Sequence, residues 1–168
     1  MKKLVTLAMV LTMVTGLTAC GDSSEAGSTA ASSSAQADVS SVSLTDATGK
    51  NFTVGVADGW KLMTASEIGS MMETADFLVK GDKYEATGPY LQISQTTGNI
   101  NDWVEQTKKD TYVKYDGEYE IKGIKWYMAD KVAGAEIDGK IVTVYPQNGV
   151  SMKDKDVQAM MGSIRWAK

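Results

Sequence analysis

The stretch Phe52-Thr53-Val54-Gly55-Val56 carries the first clear structural pattern of the chain. Its large apolar residues alternate with smaller ones at a period of two, which is typical of a strand with one buried face. The dipeptide Asp58-Gly59 follows closely and predicts a tight turn. We therefore expect the folded part of the protein to begin with a strand that ends in a turn.

The same alternation predicts further strands downstream. The dipeptide Asp138-Gly139 predicts a hairpin turn just before the last of them. In the stretch Ile141-Val142-Thr143-Val144-Tyr145 the apolar groups point both ways, which is typical of a strand covered on both faces. The predicted strands lie at residues 77–79, 90–94, 119–121, 124–128 and 141–145.

Three helices are predicted from apolar residues at the spacing i, i+3, i+4 and i+7. Thr64 and Glu67 form a capping-box pattern at the start of the first, which covers roughly residues 65–74. Asn99 caps the second helix, and Ser151, with Asp154 three residues on, caps the third. Strands and helices in one compact segment predict a single α+β domain.

Three stretches of this domain form a recognisable combination: residues 51–62, where a strand runs into a turn and Trp60, the helix that contains Trp103, and the closing stretch Ser163-Ile164-Arg165-Trp166. Together they resemble Mog1/PsbP-like domains. The resemblance implies a single α/β/α sandwich over residues 43–168, with a mainly antiparallel sheet flanked by helices. It also implies a non-catalytic binding or assembly role.

The amino terminus has the parts of a secretory signal: Lys2 and Lys3, an apolar run over residues 4–17, and small residues before Cys20. The run is shorter than the roughly 20 residues that span a bilayer. The sequence Leu17-Thr18-Ala19-Cys20 resembles the bacterial lipobox, which implies cleavage before Cys20 and a lipid on its thiol. We therefore expect residues 1–19 to be a signal peptide and the protein to be anchored at the outer face of the cell membrane.

Residues 20–42 are predicted to form a lipid-anchored, disordered tether. Residues 21–42 contain eight serines and five alanines, and only Val39 and Val42 are sizeable apolar side chains. Such a segment buries too little apolar surface to offset the entropy of ordering it. As a flexible coil it reaches roughly 25 Å. The folded domain is expected to occupy residues 43–168.

Composition excludes several classes of function. Without Lys2 and Lys3 the chain has 15 basic and 21 acidic residues, a net charge of −6, and Arg165 is its single arginine. A protein that binds a phosphate backbone needs clustered Lys and Arg, so we expect no nucleic-acid partner. The chain has no histidine, which excludes Ser-His-Asp and Cys-His catalytic arrangements and HExxH zinc sites.

Trp126 and Tyr127 are the aromatic candidates for a partner surface. As neighbours on a predicted strand, they project to opposite faces of the sheet. If one face is open, one ring is exposed and can stack on a sugar or a peptide. If the sheet is covered on both faces, both rings belong to the core, and the predicted covering of the sheet favours this alternative.

Other candidate sites have simpler explanations. The pairs Met71-Met72 and Met160-Met161 suggest an adaptable groove or a soft-metal site, but packing in a helical core also explains them. Asp116, Glu118 and Glu120, with Asp154 and Asp156 elsewhere in the chain, offer oxygens for calcium or for paired-carboxylate catalysis, yet no EF-hand spacing is present. We expect no metal site and no cofactor.

The main functional hypothesis is a membrane-anchored extracytoplasmic lipoprotein that binds a protein or an envelope component without catalysis. The lipobox, the tether and the lack of a catalytic motif motivate it. The alternative is a small carboxylate-dependent hydrolase that acts on envelope polymers, motivated by the location and by the many Asp and Glu residues. No catalytic residue is assigned under either hypothesis.

Replacing Cys20 with alanine should abolish incorporation of labelled palmitate into the protein, because the thiol is the predicted attachment point. The modified protein should also leave the membrane fraction, since stable anchoring requires acyl chains on the protein. Metabolic labelling followed by fractionation measures both effects. A Cys20→Ala protein that still carries label would contradict the anchor.

Overall fold

The structure, a computed structural model, describes residues 35–36 and 38–168. Cys20, the predicted signal peptide and most of the predicted tether lie outside these residues. Strands hold 44% of the described residues and helices only 13%, arranged as two sheets and two short helices. The predicted α/β/α sandwich flanked by helices is therefore wrong, because a second sheet packs where a layer of helices was expected.

The described residues contain strands of two to eight residues and two helices of ten and seven residues. None of these helices is long and apolar enough to cross a membrane. In chain order the elements are β1 (Ala35–Gln36), β2 (Leu44–Thr48), β3 (Phe52–Ala57), β4 (Trp60–Thr64), β5 (Ala75–Lys80), β6 (Tyr90–Thr96), α1 (Ile100–Lys109), β7 (Tyr115–Ile121), β8 (Ile124–Ala129), β9 (Ala133–Ile137), β10 (Lys140–Gln147), α2 (Lys155–Met161) and β11 (Arg165–Trp166).

The larger sheet has eight strands in the order β1-β7-β8-β9-β10-β6-β5-β4, and the smaller sheet has three in the order β11-β3-β2. Neighbouring strands pair antiparallel, except that β1 runs parallel to β7. The turn at Asp58-Gly59, where Gly59 has a φ of 77°, carries the chain from β3 to β4. The small sheet is thus connected directly to an edge of the large one.

One face of the large sheet packs against the small sheet and α2. Phe52 of β3, Trp126 of β8 and Val157 of α2 are completely buried in this main core. On the opposite face, Trp103 of α1 lies over Gly134 of β9, where an added Cβ would come within 2.6 Å of the ring. A smaller core around Phe77 covers another part of that face. Apolar groups therefore point to both faces of the central strands, as the sequence predicts.

The predicted helix at residues 65–74 is wrong, because this segment forms a series of turns. Glu67 does accept a hydrogen bond from the backbone N–H of Thr64, and the N–H of Glu67 donates one of 3.4 Å to the Thr64 hydroxyl, as a capping box requires. However, Gly69 adopts a φ of 73°, in the left-handed region, which ends the helical path after one turn. Met71 and Met72 are consequently exposed, at 96% and 48% of their surface, and do not pack in a core.

Other local predictions are confirmed. Helix α1 begins after Asn99, whose side-chain oxygen accepts a hydrogen bond of 2.7 Å from the backbone N–H of Asn101. Asp138-Gly139 forms the predicted hairpin turn between β9 and β10, with φ values of 52° and 75°. The pair Met160-Met161 is buried in α2. These features depend on local sequence, which explains why the sequence predicts them.

Folded structure is also present upstream of residue 43. The backbone of Ala35–Gln36 pairs with Tyr119 and Glu120 of β7, and Val39 is only 4% exposed in the main core. Val39 is one of the two sizeable apolar side chains in the predicted tether. The last residues before β2 therefore contribute to the domain, and the ordering of this part follows from contacts that are distant in sequence.

Asp76 connects the two sheets. It lies on β5 of the large sheet with no exposed surface. Its carboxylate accepts hydrogen bonds from the backbone N–H groups of Lys50, Asn51 and Phe52, at 3.1, 2.7 and 2.8 Å, in the turn between β2 and β3. A Cβ at Gly49 would lie 2.6 Å from this carboxylate, so the turn needs glycine there. The small sheet is thereby tied to the large one.

Replacing Asp76 with alanine should lower the free energy of unfolding by about 2–4 kcal/mol, because three backbone donors lose a charged acceptor in a water-poor site. Urea denaturation measures the change. Replacing the exposed Asp82 with alanine is the control and should change stability by less than about 0.5 kcal/mol. Equal stability of the two variants would show that the contact does not hold the sheets together.

Candidate functional site

A cavity of about 310 Å³ lies where β7 begins and β8 ends, beside the loop that leads into α2. We call it the β7–β8 pocket. Its floor is apolar and its rim carries both positive and negative side chains. The lining residues are Lys114, Asp116, Met128, Ala129, Asp130, Val150, Ser151, Met152 and Lys153.

The first wall of the pocket is the junction of β7 and β8. Asp130 Oδ1 accepts a hydrogen bond of 2.9 Å from the backbone N–H of Lys114, and the carbonyl of Lys114 accepts one of 3.0 Å from the N–H of Asp130. The pairing of the two strands shifts register between Tyr115 and Gly117, which places Asp116 in a β-bulge. Bulges redirect side chains, and here Asp116 lines the pocket.

The second wall is the loop before α2. The hydroxyl of Ser151 accepts a hydrogen bond of 3.1 Å from the backbone N–H of Lys153, which closes a tight turn. Within this turn Met152 points into the core and is 5% exposed, while Lys153 lines the pocket rim. The sequence predicts that Ser151 begins the helix, whereas α2 begins one turn later, after Asp154. The turn formed by Ser151 is what directs Lys153 across the pocket.

Asp116 is the centre of the charged rim. Lys153 Nζ lies 2.9 Å from Asp116 Oδ2, and the hydroxyl of Tyr119 donates a hydrogen bond of 2.8 Å to the same oxygen. These two hydrogen bonds hold the pKa of Asp116 below its ordinary value. The hydrogen bond to Asp116 also raises the pKa of Lys153. Both groups are therefore charged at neutral pH and compensate each other.

The arrangement suits binding better than acid–base catalysis. Met128 and Ala129 line the floor and Val150 lines the side of the pocket, so part of its lining is apolar and suits the apolar part of a ligand. A general acid at neutral pH needs a raised carboxyl pKa, and the pKa of Asp116 is lowered. Among the described residues, no group of three or more Cys, Asp or Glu side chains is placed to hold a metal ion.

Trp126 and Tyr127 project to opposite faces of β8. Trp126 is completely buried in the main core, and its indole N–H has no hydrogen-bond partner among the described residues. Tyr127 is half-buried on the other face, where Lys125 Nζ lies 5.9 Å from its ring centre. Only Tyr127 of this pair meets the solvent, so the two rings do not form one surface.

The acidic residues singled out in the sequence do not form one cluster. Asp116 pairs with Lys153, whereas Glu118 pairs with Lys125 at 3.1 Å. Asp156 accepts a hydrogen bond of 2.8 Å from the indole N–H of Trp60. The sequence pattern identifies Asp116 but gives no signal for its neighbours in the pocket, because they come from separate loops that only the fold brings together.

Tyr115 has an unusual environment at the start of β7. Its hydroxyl is buried and has no hydrogen-bond partner within residues 35–36 and 38–168, while Lys108 Nζ of α1 lies 4.8 Å from its ring centre. Burial, with smaller contributions from Glu118 and Tyr127, raises the pKa of Tyr115 to about 12. The hydroxyl therefore contributes an uncompensated polar group to the described structure.

No protein-family model matches the chain, and neither a curated protein nor a solved structure matches it. The resemblance to Mog1/PsbP-like domains stays a prediction from short motifs, and the α/β/α sandwich that it implies is wrong. Function therefore rests on the geometry of this chain.

Replacing Tyr115 with phenylalanine should leave the free energy of unfolding unchanged or raise it by up to about 1 kcal/mol, since the lost hydroxyl makes no hydrogen bond. It should also remove the titration step near pH 12 from the ultraviolet absorbance of the folded protein. Because the unfolded chain releases this proton near pH 10, stability should fall between about pH 10 and 12 in the wild type and fall less in the variant.

The control for Tyr115 is Tyr112→Phe, which replaces a side chain that is 83% exposed. This variant should keep the step near pH 12. A Tyr115→Phe protein that retains the step, or that loses several kcal/mol of stability, would contradict the assignment.

Proposed function

We propose that this protein is a membrane-anchored extracytoplasmic lipoprotein whose domain binds a ligand without catalysis, and that the β7–β8 pocket is the ligand site. The observation that carries the proposal is an apolar floor surrounded by two lysines, Lys114 and Lys153, and two aspartates, Asp116 and Asp130. The favoured ligand is a small zwitterion, or the zwitterionic part of a larger envelope component. The lipobox at Cys20 supports the location.

The volume of the pocket supports a small ligand. Small-molecule sites usually occupy about 300–1,000 Å³, and this pocket lies at the lower end of that range with about 310 Å³. A free amino acid, a dipeptide end or a phosphorylated amine is of suitable size. Met128 and Met152 line the pocket but are packed in the main core, so they give it a fixed apolar floor.

The charges of the rim support a zwitterion over a simple ion. In the free protein Asp116 and Lys153 compensate each other. A ligand of one charge sign that binds one of them leaves the other to be compensated by water, because 64% of the Lys153 side chain and 36% of the Asp116 side chain are exposed. A ligand with an ammonium and an acidic group can bind both, so that every charge stays compensated. Lys114 and Asp130 provide a second pair of opposite charges on the rim.

The hydrolase alternative has less support. Asp116 already accepts hydrogen bonds from Lys153 and Tyr119, and its lowered pKa opposes a role as a general acid. Asp130 uses one carboxylate oxygen to hold the backbone of Lys114. Both carboxylates thus have structural partners that a proton-transfer role would have to break.

Isothermal titration of the unlipidated mature chain with a panel of free amino acids and dipeptides should show saturable binding of zwitterions. Blocking either the amino or the carboxyl group of the best ligand should weaken binding about tenfold or more, since one charged hydrogen bond is lost. The variants Lys153→Met and Asp116→Asn should each weaken binding by a similar factor, and together by less than the product of the two.

The matched control is Lys125→Met, which breaks the Glu118–Lys125 ion pair on the opposite face of the same strands. This variant should bind like the wild type. A lack of saturable binding across the panel, or an equal loss in the Lys125 control, would contradict the assignment of the pocket.

A further inference from the structure

Strand β4 forms a free edge of the large sheet, since β5 is the only described strand that pairs with it. The carbonyl of Gly59 accepts a hydrogen bond of 2.7 Å from the N–H of Gly81, so Gly59 turns its backbone toward the β5 side. Successive residues of a strand turn their backbone groups to alternate sides. Trp60 and Leu62 therefore direct their N–H and C=O groups away from the sheet.

The far end of this edge is closed by Glu67. Its carboxylate accepts the backbone N–H of Thr64 at 2.6 Å, and Thr64 is the next residue whose backbone points outward. The unpaired part of the edge is therefore short and extends from Trp60 to Met63. Such a row of unpaired donors and acceptors is a template for one more strand.

A cleft of about 370 Å³ lies beside the free edge, between β4 and the β2–β3 hairpin. Val56, Ala57 and Leu62 give it an apolar interior. The carboxylates of Asp46 and Asp58 lie on its rim and are exposed to solvent. An added strand would therefore find both backbone partners and space for the side chains on one of its faces.

The edge is held in place before any strand binds. The indole N–H of Trp60 donates a hydrogen bond of 2.8 Å to Asp156 of α2, and Lys80 Nζ lies 5.5 Å from the centre of the ring. Trp60 is only 8% exposed. A fixed edge loses little conformational entropy when a partner binds, which favours affinity.

We propose that the β4 edge and its cleft bind an extended segment of a partner protein, which adds one strand to the large sheet. Backbone hydrogen bonds to Trp60 and Leu62 hold the segment, and its alternate side chains give specificity. The side chains that face the cleft are apolar or basic, because the cleft has an apolar interior and two aspartates on its rim. The side chain between them is acidic, because Lys61 alternates with Trp60 and Leu62 along β4 and adds a positive charge at the margin of the cleft. This surface is separate from the β7–β8 pocket.

The probe is a short capped peptide of sequence valine-glutamate-lysine-threonine-valine, labelled for fluorescence anisotropy against the mature chain. Saturable binding is expected. A peptide of the same composition with glutamate and lysine exchanged should bind about tenfold more weakly, because it places equal charges opposite each other. No saturable binding of the first peptide, or equal binding of both, would overturn the proposal.

Two N-methylated versions of the probe test the backbone contacts. Methyl groups on alternate amides block the hydrogen-bonding edge that faces β4 in one version and the opposite edge in the other. One version should lose binding about tenfold or more, and the other should retain it. Any other result would overturn the addition of a strand.

The protein variant Leu62→Pro removes the outward N–H of β4 without removing a hydrogen bond to β5, as proline at a sheet edge allows. Leu62→Ala is the matched control for the lost side chain. The proline variant should bind about tenfold more weakly than the alanine variant. Equal binding by two folded variants would overturn the proposal, and the N-methylated peptides decide the question if the proline variant does not fold.

Discussion

The buried carboxylate of Asp76 fixes the relation between the two sheets. Three backbone N–H groups of the turn after β2 converge on it, and Gly49 leaves it the space to approach. Strand β3 continues from that turn, pairs with β11 and packs under α2. These hydrogen bonds lie in a largely apolar interface and help to set the register of one layer on the other, together with the hydrogen bond of 2.8 Å that the indole N–H of Trp166 in β11 donates to the carbonyl of Ile137 in β9.

The two proposed binding surfaces lie where the regular pairing of the strands stops. The β7–β8 pocket forms at a bulge and at the loop before α2, and the cleft beside β4 forms where the chain changes from one sheet to the other. The proposed recognition uses charged side chains in the pocket and unpaired backbone groups at the β4 edge. A rigid β scaffold with irregular ends is well suited to binding, because the scaffold holds these groups in place.

Local sequence was sufficient for features that depend on neighbouring residues. Asn99 and the residues after it specify α1, and Asp138-Gly139 specifies a hairpin, because capping and tight turns follow from nearby side chains and backbone preferences. The same reasoning failed at residues 65–74. There the capping box formed, but Gly69 adopted a left-handed conformation that ended the helical turn. Met71 and Met72, which follow it, are exposed and do not pack in a core.

The sequence by itself therefore determined most strands, both helices and the motif at Cys20, since each depends on residues that are close together in the chain. Its composition also excluded catalysis by histidine. Only the tertiary structure decided that a second sheet, in place of a helical layer, covers the first, because Leu44–Thr48 has little alternation and pairs through its backbone. The pocket likewise needed the fold. Strands β8, β9 and β10 lie between Asp116 and Lys153 in the chain. No local pattern therefore predicts that Lys153 Nζ and Asp116 Oδ2 lie 2.9 Å apart.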